Sequence, residues 1–185
     1  MNSMSKSHCQ NEKDNCYKKE KEAGILLKCK TSSSVTVTAT TEEKTKKIAT
    51  LSLNTTKFSV PCIKFKFTTN LTISELDPAV EDIIVNFQLF KLCRGETDPT
   101  TVGSQWTFSR ADFTGNFNGS SDIITFIVCD CDCVKDDCCT YSVKASYIVD
   151  STGNPFNPTP PPIPTTATLT FNNPTLSVLV VENKD

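Results

Sequence analysis

The sequence has little of what most catalytic sites and membrane anchors require. It contains a single histidine, His8, and only six glycines in 185 residues. Histidine-dependent nucleophilic catalysis needs that side chain on a rigid frame, and His8 lies in a polar N-terminal stretch. No glycine-rich phosphate loop is present. No apolar run approaches the roughly 18 residues of a membrane-spanning helix. We therefore expect neither an enzyme nor a membrane protein, and we expect no cofactor.

The charge balance and the N-terminus exclude further classes. The formal net charge of −2 gives no general electrostatic attraction to nucleic acid and no polybasic membrane anchor. The first residues, MNSMSKSHCQNEKDNCYKKEKEAG, lack the apolar core of a secretory signal. We therefore expect a chain that is made in the cytoplasm and not exported by the classical route.

Cysteine, in contrast, is abundant, with ten residues in the chain. Such a density indicates disulfides in an oxidising place or metal thiolates in a reducing one. No CxxC knuckle is present, which argues against structural zinc and against a redox enzyme. The dense run that includes Cys129, Cys131, Cys133, Cys138 and Cys139 leaves a thiolate zinc protein open as an alternative, with no specific metal ligand assigned.

Residues 1–23 form a segment of their own. Lysines alternate with acidic residues and apolar residues are scarce, so the segment cannot offset its ordering entropy by burial. Alone it should be disordered, either as a solvated tail or, because it carries Cys9 and Cys16, as a tethering arm. We divide the chain into this arm and a domain over residues 24–185, in which the proline-rich segment 151–164 forms a loop.

The domain shows the period-2 alternation of half-buried strands. Val35, Val37 and Ala39 share one face, and Ile63, Phe65 and Phe67 share another. The pattern predicts an all-β fold, a jelly-roll-like β-sandwich of about eight or nine strands with an extended N-terminal arm. Residues 83–92 should be a central strand. Residues 42–47 and the short VKDD connection after residue 133 read as hairpin turns, and residues 172–174 read as a turn between two strands.

The cysteine spacing suggests how the sulfurs are used. If residues 129–133 are extended, Cys129, Cys131 and Cys133 share one face about 7 Å apart in successive pairs. Such neighbours do not easily bond each other, so their partners lie on an adjacent strand or on another chain. Cys62 and Cys93 follow apolar strand patterns, which predicts buried or intrachain cysteines.

Five segments of the domain together resemble a known family. GILLKCK, VPCIKFKF, FQLFKLC, QWTFSR and FIVCDCD…DCCTYSV, spread over residues 24–148, are similar to small cysteine-rich proteins of anaerobic, spore-forming clostridia, a domain without an assigned activity. The overall plan is also similar to that of endospore appendage subunits. Those are jelly-roll proteins whose cysteine-bearing N-terminal connector forms disulfides with preceding subunits of a fibre on the spore surface.

The resemblance implies a function and its residues. Cys9 and Cys16 would be the connector cysteines, and their acceptors on a neighbouring subunit would be Cys29, Cys129, Cys131, Cys133, Cys138 and Cys139. The chain would self-assemble into a disulfide-cross-linked fibre or coat, with itself as the main partner and other spore-surface proteins as further candidates. It would be made in the mother-cell cytoplasm and oxidised after that cell lyses, at the spore surface.

A second function remains open from the residues alone. A monomeric β-sandwich could act as a binding module, such as an adhesin or a carbohydrate-binding domain, through exposed aromatic side chains. The candidates are Trp106, Phe113 and Phe117, although core packing is the ordinary role of a single tryptophan.

Overall fold

The described part of the chain consists of β-strands. The computed structural model describes residues 24–58, 61–76, 80–111, 119–130, 138–150 and 165–182, and these contain nine strands and no helix. The strands are β1 (Ile25–Thr31), β2 (Val35–Ala39), β3 (Lys44–Asn54), β4 (Pro61–Ser74), β5 (Asp82–Cys93), β6 (Thr100–Arg110), β7 (Ser120–Asp130), β8 (Cys138–Asp150) and β9 (Ala167–Glu182). The predicted arm, the proline-rich segment, Cys9, Cys16, Cys131, Cys133, Phe113 and Phe117 lie outside the described residues.

The strands form two antiparallel sheets in jelly-roll order. Sheet A runs β1–β9–β4–β7, with β2 also paired to β9, and sheet B runs β3–β8–β5–β6. From β2 onward only β5 and β6 are both consecutive in sequence and paired, and every other connection crosses between the sheets. This crossing pattern is that of two Greek keys. The predicted all-β, jelly-roll-like sandwich is confirmed.

Two predicted hairpins are wrong. Residues 44–47 are the start of β3 and not a turn, and β3 pairs with β8, whereas β2 pairs with β9. Likewise, β7 pairs with β4 in sheet A and β8 lies in sheet B, so residues 122–150 form no hairpin. Both predictions assumed that neighbours in sequence pair, which a jelly roll avoids at almost every connection.

The predicted turn at residues 172–174 is also absent, because β9 is one continuous strand. Asn173 has a φ of 47°, and the register between β4 and β9 shifts at this point. The backbone N–H of Ser32 donates to the Pro174 carbonyl at 2.8 Å, in the gap between β1 and β2. The proline, which has no N–H to donate, is thus accommodated by a bulge beside an interrupted edge strand.

The core lies between the sheets and is rich in aromatic side chains. Phe65 of β4 packs on Tyr141 of β8 with centroids 4.4 Å apart, and Phe87 of β5 meets the edge of Phe171 at 6.0 Å. These four side chains are almost fully buried. Each contributes roughly 1.5–3 kcal/mol by its burial. The predicted central position of residues 83–92 is confirmed, because β5 lies between β8 and β6.

The sheet edges differ in their protection. The edge strand β3 begins with exposed lysines, Lys44, Lys46 and Lys47, a charged edge that discourages pairing with other chains. The edge strand β7 carries no charge between Asp122 and Asp130. Among the described residues, no strand pairs with the outer edge of β7. Within these residues the outer edge of β7 therefore has no strand partner.

Candidate cross-linking site

All six described cysteines lie toward one end of the sandwich. At this end β4 and β8 begin and β5, β7 and β9 finish. A contact of 3.7 Å between Lys91 Nζ of β5 and Asp130 Oδ2 of β7 joins the two sheets there. The six cysteines are Cys29, Cys62, Cys93, Cys129, Cys138 and Cys139.

Three of these cysteines are on the outer face of sheet A. Side chains alternate between the two faces of a strand, so residues an odd number of positions apart point to opposite faces. Each of the three cysteines is an odd number of positions from a side chain that packs inward. Cys62 precedes the buried Ile63, and Cys129 follows the buried Val128. Cys29 lies three residues after Leu26, which packs against the core. The three cysteines on this face are therefore Cys29, Cys62 and Cys129.

The register of sheet A fixes their arrangement. Cys29 of β1 lies opposite Ser177 of β9, and Cys62 of β4 lies opposite Val181 on the other side of β9. Leu179 is midway between those two β9 positions and also points outward. Cys129 of β7 lies opposite Lys64 of β4, one strand further on. The three cysteines therefore occupy β1, β4 and β7 on a single surface.

A disulfide at the end of sheet B joins two of these six cysteines. Cys93 of β5 and Cys139 of β8 are directly opposite in register, with Cα atoms 3.9 Å apart, and their sulfurs are bonded. Both are buried. Cys139 was predicted as an acceptor for the arm, and it could accept an arm only by exchanging this bond. Cys29, Cys62 and Cys138 are also disulfide-bonded.

Cys129 is the free thiol among the described cysteines, and it is exposed. It is the last but one residue of the edge strand β7, which ends at Asp130. The carboxylate of Asp130 turns inward and accepts a hydrogen bond from the Tyr141 hydroxyl at 3.4 Å. Asp130 thereby fixes the end of β7 while Cys129 points to solvent. An accessible thiolate attacks disulfides of other molecules, so the position suits exchange chemistry.

Exposed apolar side chains accompany these cysteines on the outer face of sheet A. Ile25 and Leu27 of β1 are 65% and 64% exposed, next to the partly exposed Leu179. On β7, Ile123 and Ile127 are 82% and 46% exposed. Such residues on a sheet face that also carries cysteines indicate an interaction surface.

Trp106 lies at the side of the sandwich where β6 and β7 approach. Its ring stacks on Phe126 of β7 with centroids 5.6 Å apart and an angle of 16°, and 45% of the residue is exposed. Trp106 therefore covers the rim of the core and does not lie within it. Its outer face is available to a ligand, which bears on the binding-module alternative.

Neither a metal site nor a membrane span is found in the part of the chain that the structure describes. No group of three or more cysteine, histidine, aspartate or glutamate side chains converges there as metal ligands would. No helix within the same residues has the length and apolar character needed to cross a bilayer.

Sequence reasoning missed two features of this site. It did not pair Cys93 with Cys139, since the two are 46 residues apart and only the register of β5 and β8 brings them together. It also predicted Cys62 only as a buried or intrachain cysteine and did not place it on the outer face of sheet A. The alternation with Lys64 and Lys66, both exposed, was a signal that Cys62 faces outward. The alternation of side chains along a strand is therefore a better guide to the face that a cysteine occupies than the hydrophobicity of its neighbours.

Residues 23–181 match a domain of unknown function (DUF4489), and the chain belongs to this family. The predicted resemblance to a domain family without an assigned activity is confirmed at that level. A comparison with curated proteins returns no match.

Among solved structures, the chain is similar in fold to proteins of infectious bursal disease virus. The structure of its Gx strain has 10% identity and a TM-score of 0.45, with 85% of this chain and 36% of that chain covered. The VP2 subviral particle has 8% identity and a TM-score of 0.42, with 86% of this chain and 38% of that chain covered. The chain thus spans less than two fifths of those proteins, and the similarity concerns the fold alone.

Proposed function

We propose that the chain is a structural subunit that self-assembles into a disulfide-cross-linked fibre or coat on the surface of a bacterial endospore. In this proposal residues 1–23 act as an arm that links each subunit to its neighbours, and the chain has no enzymatic role. The observation that carries the proposal is the gathering of Cys29, Cys62 and Cys129 on one outward face of sheet A.

The open edge of β7 supports the same function. From Ile123 to Cys129 the strand is uncharged, contains no proline and is rich in β-branched side chains. These are the features of an edge that adds strands from another chain, and the opposite edge of the molecule, on β3, carries lysines that prevent such addition. Non-covalent pairing along β7 would bring subunits together before the sulfurs react.

The covalent step needs no external oxidant. A thiolate of the arm attacks one sulfur of a disulfide on a neighbouring subunit. A new disulfide forms between the subunits, and the displaced sulfur leaves as a thiolate that takes a proton from water. Each exchange therefore conserves the number of free thiols, so the released thiol can react with the next subunit.

The architecture favours an open polymer. An arm that leaves one surface and binds a different surface of the next copy makes a heterologous contact, and such contacts give filaments when the rotation does not close. A disulfide also makes the link insensitive to dilution, which a weakly bound disordered arm alone is not. An oxidising place outside the lysed mother cell is where such bonds persist.

The test is assembly of the full chain after reduction and reoxidation. We expect a ladder of oligomers on non-reducing gels, fibres or sheets in electron micrographs, and collapse of both on adding a thiol reductant. A Cys9→Ser/Cys16→Ser variant should lose the ladder, while a Lys6→Ser/Lys13→Ser variant, changed in the same segment, should keep it. If the full-length chain stays monomeric on oxidation, and the chain without its first 23 residues behaves in the same way, the proposal is refuted.

A second candidate function rests on the exposed face of Trp106. Aromatic faces at a sandwich edge stack against sugar rings, so the chain could be a monomeric adhesin-like or carbohydrate-binding module. Titration with glycans should then change the fluorescence of Trp106, the single tryptophan of the chain, in a protein that remains monomeric. No change across a glycan panel would dismiss this candidate.

A further inference from the structure

We propose that the outer face of sheet A between Cys29 and Cys62 is the seat of residues 1–23 from a second copy, with Cys9 and Cys16 bonded to those two cysteines. This inference rests on the proposed function and names its contact surface. The sequence reading placed the acceptors at Cys29 and in the run from Cys129 to Cys139. The structure adds Cys62, because Cys62 shares the face of Cys29 and is likewise in a disulfide.

The spacing of the two pairs of cysteines is compatible. Cys29 and Cys62 are two strands apart, about 10 Å, and their β9 partners are four residues apart, about 13 Å along the strand, which places the two Cα atoms roughly 17 Å apart. Cys9 and Cys16 are seven residues apart and span at most about 23 Å when extended. A nearly extended segment can therefore reach both sulfurs at once.

The surface along this path suits the segment. A line from Cys29 to Cys62 passes over Leu179, with the exposed Leu27 on one side and the exposed Lys64 on the other. Burial of Leu27 and Leu179 beneath the segment would stabilise its docking. Between the two arm cysteines, Glu12 and Asp14 outnumber Lys13, and the net charge of −1 is opposite in sign to Lys64 and Lys66.

The segment is long enough to reach another copy. Gly24 is fixed at the end of sheet A, where its carbonyl accepts a hydrogen bond from the N–H of Glu182 at 3.1 Å. The 23 residues before it can extend to about 75 Å, whereas β9, the longest strand, spans only about 53 Å. The N-terminal segment can therefore cross a whole neighbouring subunit.

Exchange between copies costs little in bond energy. Cys29 and Cys62 are both disulfide-bonded in the structure. When a thiolate of Cys9 or Cys16 from a second copy attacks the sulfur of Cys29, a new bond forms, the earlier partner leaves as a thiolate, and that thiolate is protonated. One disulfide replaces another of the same kind, as in the swapping of an identical element between protomers. The concentration of subunits then determines how many of these bonds join two copies.

An isotope-mixing experiment tests the seat. Full-length chains labelled with ¹⁴N and ¹⁵N are reduced, mixed, reoxidised at high concentration and digested under acidic conditions that block further exchange. Mass spectrometry then identifies the cross-linked peptides. We expect peptides with Cys9 or Cys16 joined to peptides with Cys29 or Cys62, about half of them carrying one light and one heavy partner, as random mixing between copies requires.

The outcomes separate this inference from the proposed function. Mixed-isotope links from the segment to Cys129 alone would overturn the seat and leave the assembly function standing. Links to Cys29 and Cys62 with matched isotopes only would show that each segment binds its own chain, and would overturn the seat in a second copy. The absence of any mixed-isotope disulfide would overturn the seat and the assembly function together.

A pair of substitutions on the same face provides a second test. Leu27→Asp places a negative charge beside the path and should reduce the yield of links to Cys29 and Cys62 several-fold. Thr38→Asp changes an exposed residue of the same face that lies on β2, opposite Thr168 of β9 and far from the path, and should leave that yield unchanged. Trp106 fluorescence reports whether each variant folds. Equal yields from folded Leu27→Asp and Thr38→Asp would overturn the path.

Discussion

Replacing Gly103 with alanine should destabilise the fold where sheets A and B meet at their β6 and β7 edges. Gly103 has a φ of 67°, and a Cβ built on it would lie 2.5 Å from Cγ1 of Val128 on β7. The side-chain amide of Gln88 holds this bulge of β6 by donating to the carbonyls of Val102 and Gly103 at 3.1 and 3.3 Å. The backbone therefore cannot easily move away from Val128.

The magnitude has three contributions. A non-glycine residue in the left-handed region costs about 1–2 kcal/mol. Inserting a methyl group into packed surroundings costs about 1–3 kcal/mol, and here the obstacle is the β-branched Val128, which has few alternative rotamers. The lower entropy of the unfolded chain returns about 0.4–1 kcal/mol. We expect Gly103→Ala to lower the free energy of unfolding by about 2–4 kcal/mol.

Gly95 provides the matched control. It has a φ of 86°, and nothing lies within 4 Å of a Cβ built on it, so Gly95→Ala carries the conformational cost without the clash. Urea unfolding of both variants, followed by Trp106 fluorescence with disulfides intact, should show a larger loss for Gly103→Ala by about 1–3 kcal/mol. Adding Val128→Ala should recover part of that loss in a double-mutant cycle. Equal losses at Gly103 and Gly95, with no coupling to Val128, would refute the reasoning.

Three further predictions follow from the core and its rim. Replacing Cys93 and Cys139 together with serine should cost about 4 kcal/mol in the free energy of unfolding, from the entropy of a 46-residue closure, and a loss under 1 kcal/mol in urea unfolding would contradict this. Acrylamide should quench Trp106 to an extent between those of buried and free tryptophan, because the stacked Phe126 shields one face; quenching as in free tryptophan would exclude the stack. Burial raises the pKa of the Tyr147 phenol above 10.0, so stability should fall as the pH rises past about 10, where the unfolded chain releases this proton more readily. Tyr147→Phe should flatten that fall in rapid thermal scans, and an unchanged pH profile would contradict the assignment.

The strands were predictable from sequence because each depends on its own side-chain alternation. Ile63, Phe65 and Phe67 are buried and Lys64 and Lys66 are exposed, as the period of two requires. Strand order was not predictable beyond the jelly-roll class, because the partners of a strand are chosen by packing between distant segments. The two hairpins predicted from the pairing of neighbours in sequence, at residues 42–47 and 122–150, were wrong, and in the structure such pairing occurs between β5 and β6.

The cysteine site was predictable in composition but not in connectivity. Local spacing predicted that Cys129 lies in an extended segment, and the structure shows it exposed on β7. The partner of Cys93 depends on the register of β5 against β8, and register follows from the whole sheet. The roles assigned to Cys9, Cys16, Cys131 and Cys133 stay predictions, since these residues lie outside the described part of the chain.

The positions of the described cysteines separate stabilising the fold from joining subunits. Cys93 and Cys139 are buried at the end of sheet B, where a second chain has no access, so their bond can hold the end of the sandwich without competing for assembly. Cys29, Cys62 and Cys129 lie on the outward face of sheet A, where bonds can be exchanged without opening the core. Exchange on that face would leave the buried pair intact, because a thiolate attacks only the sulfur atoms it can reach. In the proposed assembly, we therefore expect a subunit to exchange covalent partners while its jelly roll stays folded.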